Sequence, residues 1–266
     1  GPYRPGVTAR PVAERNAAAR CPGGGLTRPS HRACMLDGVQ PIDPVDQAQL
    51  HQLIETVNTS LPFEEWPEPP RGWRGEAEAA LIDAVFSMRA NYGNGPTTGV
   101  RRIVARWRLE RGTDARLDDL NELAYCDAAE AADLFENHQR VPGPNAMTKA
   151  GAVIAAANAL VAAGFPDSAS LVADGLHGNA SRAYRSIPGL GKVTWTYLMM
   201  LLGVPGVKAD TWVCRFVNDA VTTDAPLGSD TCARLVVAAA AKMGTDPIRL
   251  DHAIWHHQRK PAGSGA

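Results

Sequence analysis

The sequence predicts an all-α protein. Three observations carry that expectation. Apolar residues recur at helical spacing, N-cap and stop residues bracket the periodic stretches, and strand-like alternation bounded by hairpin turns is missing. Thr97 or Thr98 can cap a helix that places Val100, Ile103, Val104 and Trp107 on one face at the i, i+3, i+4, i+7 positions. Before it, 77–88 suits a helix, and so does the Ala-rich stretch 147–163. A short amphipathic segment ends at Ile187, and a second helix runs over 192–202. Ser229 or Asp230 can cap another helix, which runs to Met243 and stops at Gly244. Asp246 followed by Pro247 is a helix start, leading into Leu250, Ile254 and Trp255. About ten helices are expected, with no repeat of solenoid length. The Pro-rich run 61–70 reads as a connector, which Trp66 and Trp73 pin to the surface.

Composition narrows the function. The 266 residues are 45% hydrophobic and 21% charged, the mix of a soluble globular protein long enough for a sizeable core. Lysines and arginines number 27 against 28 acids, a net charge of −1, so nucleic-acid binding has to rest on a local patch. No apolar run has membrane-spanning length, and the amino terminus lacks the apolar core of a signal peptide. Five scattered cysteines without a C-x-x-C pair fit a reducing cytoplasm better than a disulfide framework or zinc site.

The organisation expected is a basic Pro/Gly/Arg-rich arm over 1–43 and a helical domain over 44–266. Through residue 36 the arm carries six arginines against one acid, Glu14, among few large apolar groups. Such a segment buries too little apolar surface to offset its ordering entropy. A solvated tail and a DNA-binding arm are its two readings.

Residues 184–217 carry the most information: YRSIPGLGKVTWTYLMMLLGVPGVKADTWVCRFV. Pro188, Gly189, Leu190 and Gly191 form a turn between two helices, and two glycines there permit positive φ and close approach of another molecule. The helix opening at Lys192 begins with free N–H groups and the positive end of its dipole, an anion site. The pattern aliphatic-Pro-Gly-aliphatic-Gly, with Asp210 opening the next helix some 20 residues on, resembles the helix-hairpin-helix of the endonuclease III superfamily of DNA glycosylases. The likeness extends more weakly over 75–258. Residues 79–92 are similar to a family helix whose Ser-x-Gln-like end probes the gap left by a flipped base, with Arg89 at the Gln-like position. Residues 145–164 are similar to the helix before the hairpin region.

The resemblance implies two helical lobes with a helix-hairpin-helix at 184–202 and an active-site cleft between them. It implies excision of a damaged or modified base from double-stranded DNA, in base excision repair, by a nucleoid-associated cytoplasmic monomer. Pro188 to Val193 then hold DNA backbone, and the carbonyls of Arg185, Ile187 and Leu190 hold a Na+ or K+ ion. The last helix lines the base pocket in some relatives, so Trp255 and His256 are candidates to stack on the base, with core packing the alternative for Trp255. No other cofactor is required. The iron–sulfur cluster of many relatives needs four closely spaced cysteines, and only Cys214 and Cys232 lie in that region.

The chemistry needs a carboxylate. Breaking an N-glycosidic bond makes the sugar oxocarbenium-like, and a fixed carboxylate beside C1′ stabilises that charge and orients water. Asp210 is the candidate, either as a simple N-cap, as the catalytic group, or as both. Strand-cleaving relatives carry a lysine two residues after the last hairpin glycine, where this chain has Val193. Lys192 is adjacent and directed about 100° round the helix, which suits phosphate contact. The spacing to Asp210 is one residue shorter than is common, so a register slip would make Lys192 a nucleophile. The readings are therefore a monofunctional glycosylase, a glycosylase/lyase using Lys192, and a non-catalytic lesion-binding protein. Arg101, Arg102, Arg106, Arg108 and Arg111 are spread round their helix, as on a solvated face. His252 and His256 are spaced i, i+4 without the glutamate of H-E-x-x-H, which argues against a metal.

Overall fold

A computed structural model describes residues 45–90, 95 and 98–259. The chain divides into two units, residues 1–43 and 44–266, and the basic arm expected over the first lies outside the described residues. The second unit is all-helical, with twelve α-helices, one 3-10 turn and no strand among the described residues. No described helix is long and apolar enough to cross a membrane.

Helix α1 (Gln47–Ser60) starts because the Asp46 carboxylate accepts the N–H groups of Ala48 and Gln49, and it buries Leu50, Leu53 and Val57 at helical spacing. A 3-10 turn (Phe63–Glu65) opens the Pro-rich connector. Trp66 is buried in a core rather than laid on the surface, and its Nε1 donates to the Leu61 carbonyl at 2.9 Å. Helix α2 (Ala77–Phe86) ends two residues earlier than the apolar pattern indicates, and all ten of its residues are buried. Glu78 is tolerated there because Trp107 Nε1 (2.7 Å), the Asp119 N–H (3.0 Å) and Arg111 Nε (3.1 Å) satisfy its oxygens.

Helix α3 (Gly99–Arg111) buries the expected Val100, Ile103, Val104 and Trp107, but Thr98 makes no side-chain cap and Thr97 lies outside the described residues. Four of its arginines form ion pairs within the fold: Arg102 and Arg106 to Glu136, Arg108 to Glu76, and Arg111 to Glu78 and Glu122. Helices α4 (Leu120–Ala124), α5 (Ala128–Leu134), α6 (Lys149–Ala162), α7 (Ser168–Asp174), α8 (Asn179–Arg185) and α9 (Lys192–Leu201) follow. The last three helices are α10 (Thr211–Ala220), α11 (Ser229–Met243) and α12 (Pro247–Arg259). Helix α11 begins after Gly228, so neither Ser229 nor Asp230 is its N-cap; both lie inside its first turn. Asp246 does open α12, its carboxylate accepting the Ile248 N–H at 2.7 Å.

Burial divides the fold into two apolar clusters. One is built from α2 to α9, around Phe86, Phe135, Tyr184 and Trp195. The other joins α1 to α10, α11 and α12, with Trp66, Val207 and Ala209 packed in. The chain passes between the clusters at the connector and again over 203–210. That second crossing delivers Lys208 and Asp210.

Candidate active site

Asp210 is fixed by the helix it starts. Its Oδ1 accepts the N–H groups of Trp212 (2.9 Å) and Val213 (3.2 Å), the N-cap arrangement that satisfies two otherwise orphaned donors of α10. Both bonds use the same oxygen, and Oδ2 accepts no hydrogen bond among the described residues. The side chain therefore caps α10 and still presents an acceptor.

Asp210 lines an open cavity of about 2280 Å³. Small-molecule sites are usually about 300–1,000 Å³, so this one is larger than a single small ligand requires. Its wall comes from the connector, the end of α2, the head of α3, α9, the head of α10 and α12. Seven arginines and one lysine line it against five carboxylates, although the whole chain carries −1. Arg71, Arg74, Arg89 and Arg101 make no ion pair among the described residues, while Arg108 and Arg249 pair with Glu76 and Glu68. Positive side chains therefore outnumber negative ones on the cavity wall. Arg101 and Arg108 come from the Trp107 helix, with the connector supplying the rest of that flank.

Around Asp210 the cavity holds a polar cluster. The Lys208 ammonium lies 3.6 Å from the centroid of the Tyr197 ring and 3.2 Å from Ser87 Oγ. Burial pushes its pKa down, and the charges of Asp210, Asp83 and Asp251 push it back up. Asp83, buried in α2, accepts from Trp73 Nε1 at 2.9 Å and from the Tyr197 hydroxyl at 3.4 Å. Asp251 on α12 is raised well above the usual carboxylate range by burial and by the Asp210 charge.

A family model described as a domain of unknown function, DUF8548, matches residues 51–259. The chain belongs to this family. No curated protein matches it. The DUF8548 match runs from within α1 to the end of α12 and so contains the whole cavity.

The other residues singled out from the sequence fall into two groups. Val193, Arg89, Trp255 and His256 join Asp210 on the DUF8548 cavity wall, whereas Lys192 and Pro188 to Gly191 do not line it. Lys192 is instead tied to Asp230 of α11 at 2.7 Å. Trp255 is half-buried rather than a core residue, stacked on His252 at 5.8 Å and carrying the Arg259 guanidinium 4.6 Å from its ring centroid. Burial and the neighbouring His256 lower the His252 pKa. Arg89 is exposed, with φ 49°.

Only one of the turn glycines uses positive φ. Gly189 has φ 90°, and a Cβ there would collide with Val141 and the Pro142 carbonyl. Gly191 has extended backbone, with open space where a Cβ would stand. The Ile187 carbonyl, one of the three assigned to a cation, accepts the Leu190 N–H at 3.0 Å. Among the described residues no group of three His, Cys, Asp or Glu is arranged to hold a metal.

Sequence reading missed Asp251, Asp83 and Tyr197. A signal for the two acids exists: each interrupts an otherwise apolar helical stripe, where a carboxylate must have a reason to be buried.

Proposed function

We propose that the chain is a DNA N-glycosylase that excises a damaged or modified base by hydrolysis. The observation that carries this reading is the Asp210 carboxylate, held by its cap bonds on the wall of a wide cavity lined mostly by arginine charge. In this reading the two apolar clusters are two lobes and the cavity is the cleft that receives the flipped nucleotide. Extruding the base costs a few kcal/mol, which groups filling the vacated stack must offset. Arg89 enters that gap, while Trp212, Trp255 and His256 offer ring surface to the extruded base.

Asp210 acts as the bond to the base lengthens. Positive charge grows on the sugar, the fixed carboxylate stabilises it, and the free oxygen accepts a proton from the attacking water. The N–H groups of Gly189, Lys192 and Val193, which the turn does not itself use, clamp a phosphate without reading sequence, with a Na+ or K+ ion on the carbonyls of Arg185, Ile187 and Leu190. The ion pair of Lys192 with Asp230, and Val193 on the cavity wall in its place, favour hydrolysis over amine attack. Monomeric action on double-stranded DNA, in base excision repair at the nucleoid, belongs to the same proposal.

The test is a panel of duplexes, each carrying one damaged or modified base, assayed with and without alkali. Alkali-dependent breaks at one or more lesions are expected. Direct breaks would make the protein a lyase, and binding without breaks would make it a lesion-recognition protein.

A further inference from the structure

Asp251 is buried where a carboxylate is expensive. It lies in the stripe that Leu250, Ala253 and Ile254 form on α12, with 8% of its surface exposed, and it lines the cavity. Its Oδ1 is buried and has no hydrogen-bond partner among the described residues. An ionised carboxylate with one oxygen buried and unpartnered is penalised by desolvation, whereas the protonated acid is far less so. Asp210, at the head of α10, raises its pKa further. Lys208, with its ammonium and its backbone N–H, is the opposing influence, and α11 adds no charge that acts on it among the described residues.

Two carboxyl groups on one cavity wall, one a fixed acceptor and the other holding a proton, are the pair needed for acid and base roles. We infer that Asp251 is the general acid of the reaction, delivering its proton to the departing base. The inference rests on the glycosylase reading above. The bond from C1′ to the base nitrogen breaks, and its electron pair leaves with the base. The Asp251 proton goes to the base, at a ring nitrogen or carbonyl oxygen. Water adds its oxygen to C1′ and loses a proton to Asp210. Passage of that proton back to Asp251 restores both groups, so the net change is one water divided between sugar and base.

Such an acid matters for some bases only. A neutral base leaves as an anion unless it is protonated, whereas a base already carrying positive charge leaves neutral and needs no acid. The experiment compares wild type and Asp251→Asn on duplexes carrying hypoxanthine, which is neutral, or 7-methylguanine, which is cationic. Single-turnover excision of hypoxanthine should fall about 10²-fold or more in the variant, with 7-methylguanine within about threefold. In the wild type, hypoxanthine excision should decline as pH rises through the raised Asp251 pKa, because only the protonated acid works. Excision of 7-methylguanine should show no such decline over the range in which that base keeps its N1 proton and stays cationic.

Equal losses on both bases, or parallel pH profiles, would overturn the inference while leaving the glycosylase reading intact. If Asp251→Asn fails to fold, the two wild-type profiles decide alone. Other neutral and cationic lesions replace these two where the panel requires it, and excision of cationic bases only would also overturn it. If only neutral bases are excised, the alkaline decline should vanish in Asp251→Asn, and its persistence would refute the assignment. No excision of any base would remove the glycosylase reading and this inference together.

Discussion

The Lys192 ammonium lies 2.7 Å from the Asp230 carboxylate, tying the first residue of α9 to the first turn of α11. Neighbouring helical residues point about 100° apart, and here Val193 takes the cavity wall while Lys192 turns to α11. Amine attack on C1′ would require Lys192 to leave its partner and swing about 100° round its helix toward the cavity. Borohydride reduction with abasic or lesion DNA should therefore trap little or no covalent complex. Efficient trapping that Lys192→Gln abolishes would instead establish a bifunctional enzyme. Trapping that survives this substitution would point to Lys208, the amine on the cavity wall.

Asp210→Asn separates capping from catalysis. Asparagine caps helices as well as aspartate, so the bonds from Trp212 and Val213 can persist and the melting temperature should stay within a few degrees. Excision should fall at least ~10²-fold, the scale of removing one preorganised electrostatic contact from a transition state. Duplex binding should be retained. Activity within about threefold of wild type would take Asp210 out of the mechanism.

The carboxylate at 210 was legible because cap chemistry is local: one acid before an apolar-periodic stretch fixes both the helix start and the side-chain direction. Helix starts elsewhere failed where tertiary contacts compete, as at α11, which begins after Gly228 although Ser229 and Asp230 are better caps. Trp66 shows the same limit, since its burial depends on α1 meeting the last three helices across some 150 residues of chain. Asp251 was invisible as a site because its partners, Lys208 and Asp210, come from another segment, and its spacing on α12 carries no motif. The basic flank was half legible: the arginines of α3 could be counted, but which of them face the cavity depends on how α3 packs, since Arg108 lines it while paired to Glu76 and Arg102, Arg106 and Arg111 pair elsewhere.

The two turn glycines should fail in different ways. Gly189→Ala puts a side chain at φ 90° against Val141 and the Pro142 carbonyl, so it should lower stability by roughly 1–3 kcal/mol in urea or thermal melts. Gly191→Asp has open space for its side chain and should fold normally, yet it brings a carboxylate where the proposal puts a phosphate. Its binding to every duplex should weaken alike. A loss confined to one lesion type would contradict a backbone clamp.

Lys149 should govern the end of α2. Its ammonium, buried in the core, donates to the carbonyls of Phe86 (3.2 Å) and Met88 (2.6 Å) and to Gln139 Oε1 (2.9 Å). Burial lowers its pKa to about 8 from the usual 10.5, so the unfolded chain binds the extra proton between those values. Stability from this group therefore rises with pH from about 8 to about 10.5. Lys149→Met removes that rise and strips two backbone carbonyls of their donor. At pH 10 the variant should be less stable than wild type by roughly 1–3 kcal/mol in urea titrations. A wild-type advantage that shrinks as pH climbs would reverse the sign assigned here.

Arg89 follows directly on the carbonyls that Lys149 holds, and it is one of three described non-glycine residues with positive φ. A left-handed backbone costs such a residue about 1–2 kcal/mol, and Arg89 bears it at an exposed position on the cavity wall. Entering the vacated base stack, the guanidinium would donate to the orphaned partner base, with a guanine O6/N7 edge the best match for its paired donors. Arg89→Ala should lower excision and flatten its dependence on the base opposite the lesion. Arg89→Gly relieves the backbone as well, so it should melt no lower than wild type while losing activity to the same degree as Arg89→Ala. The pair of variants separates the side chain from the strain. If both keep the wild-type opposite-base profile, Arg89 is a surface arginine at a helix end and the gap is filled by another group.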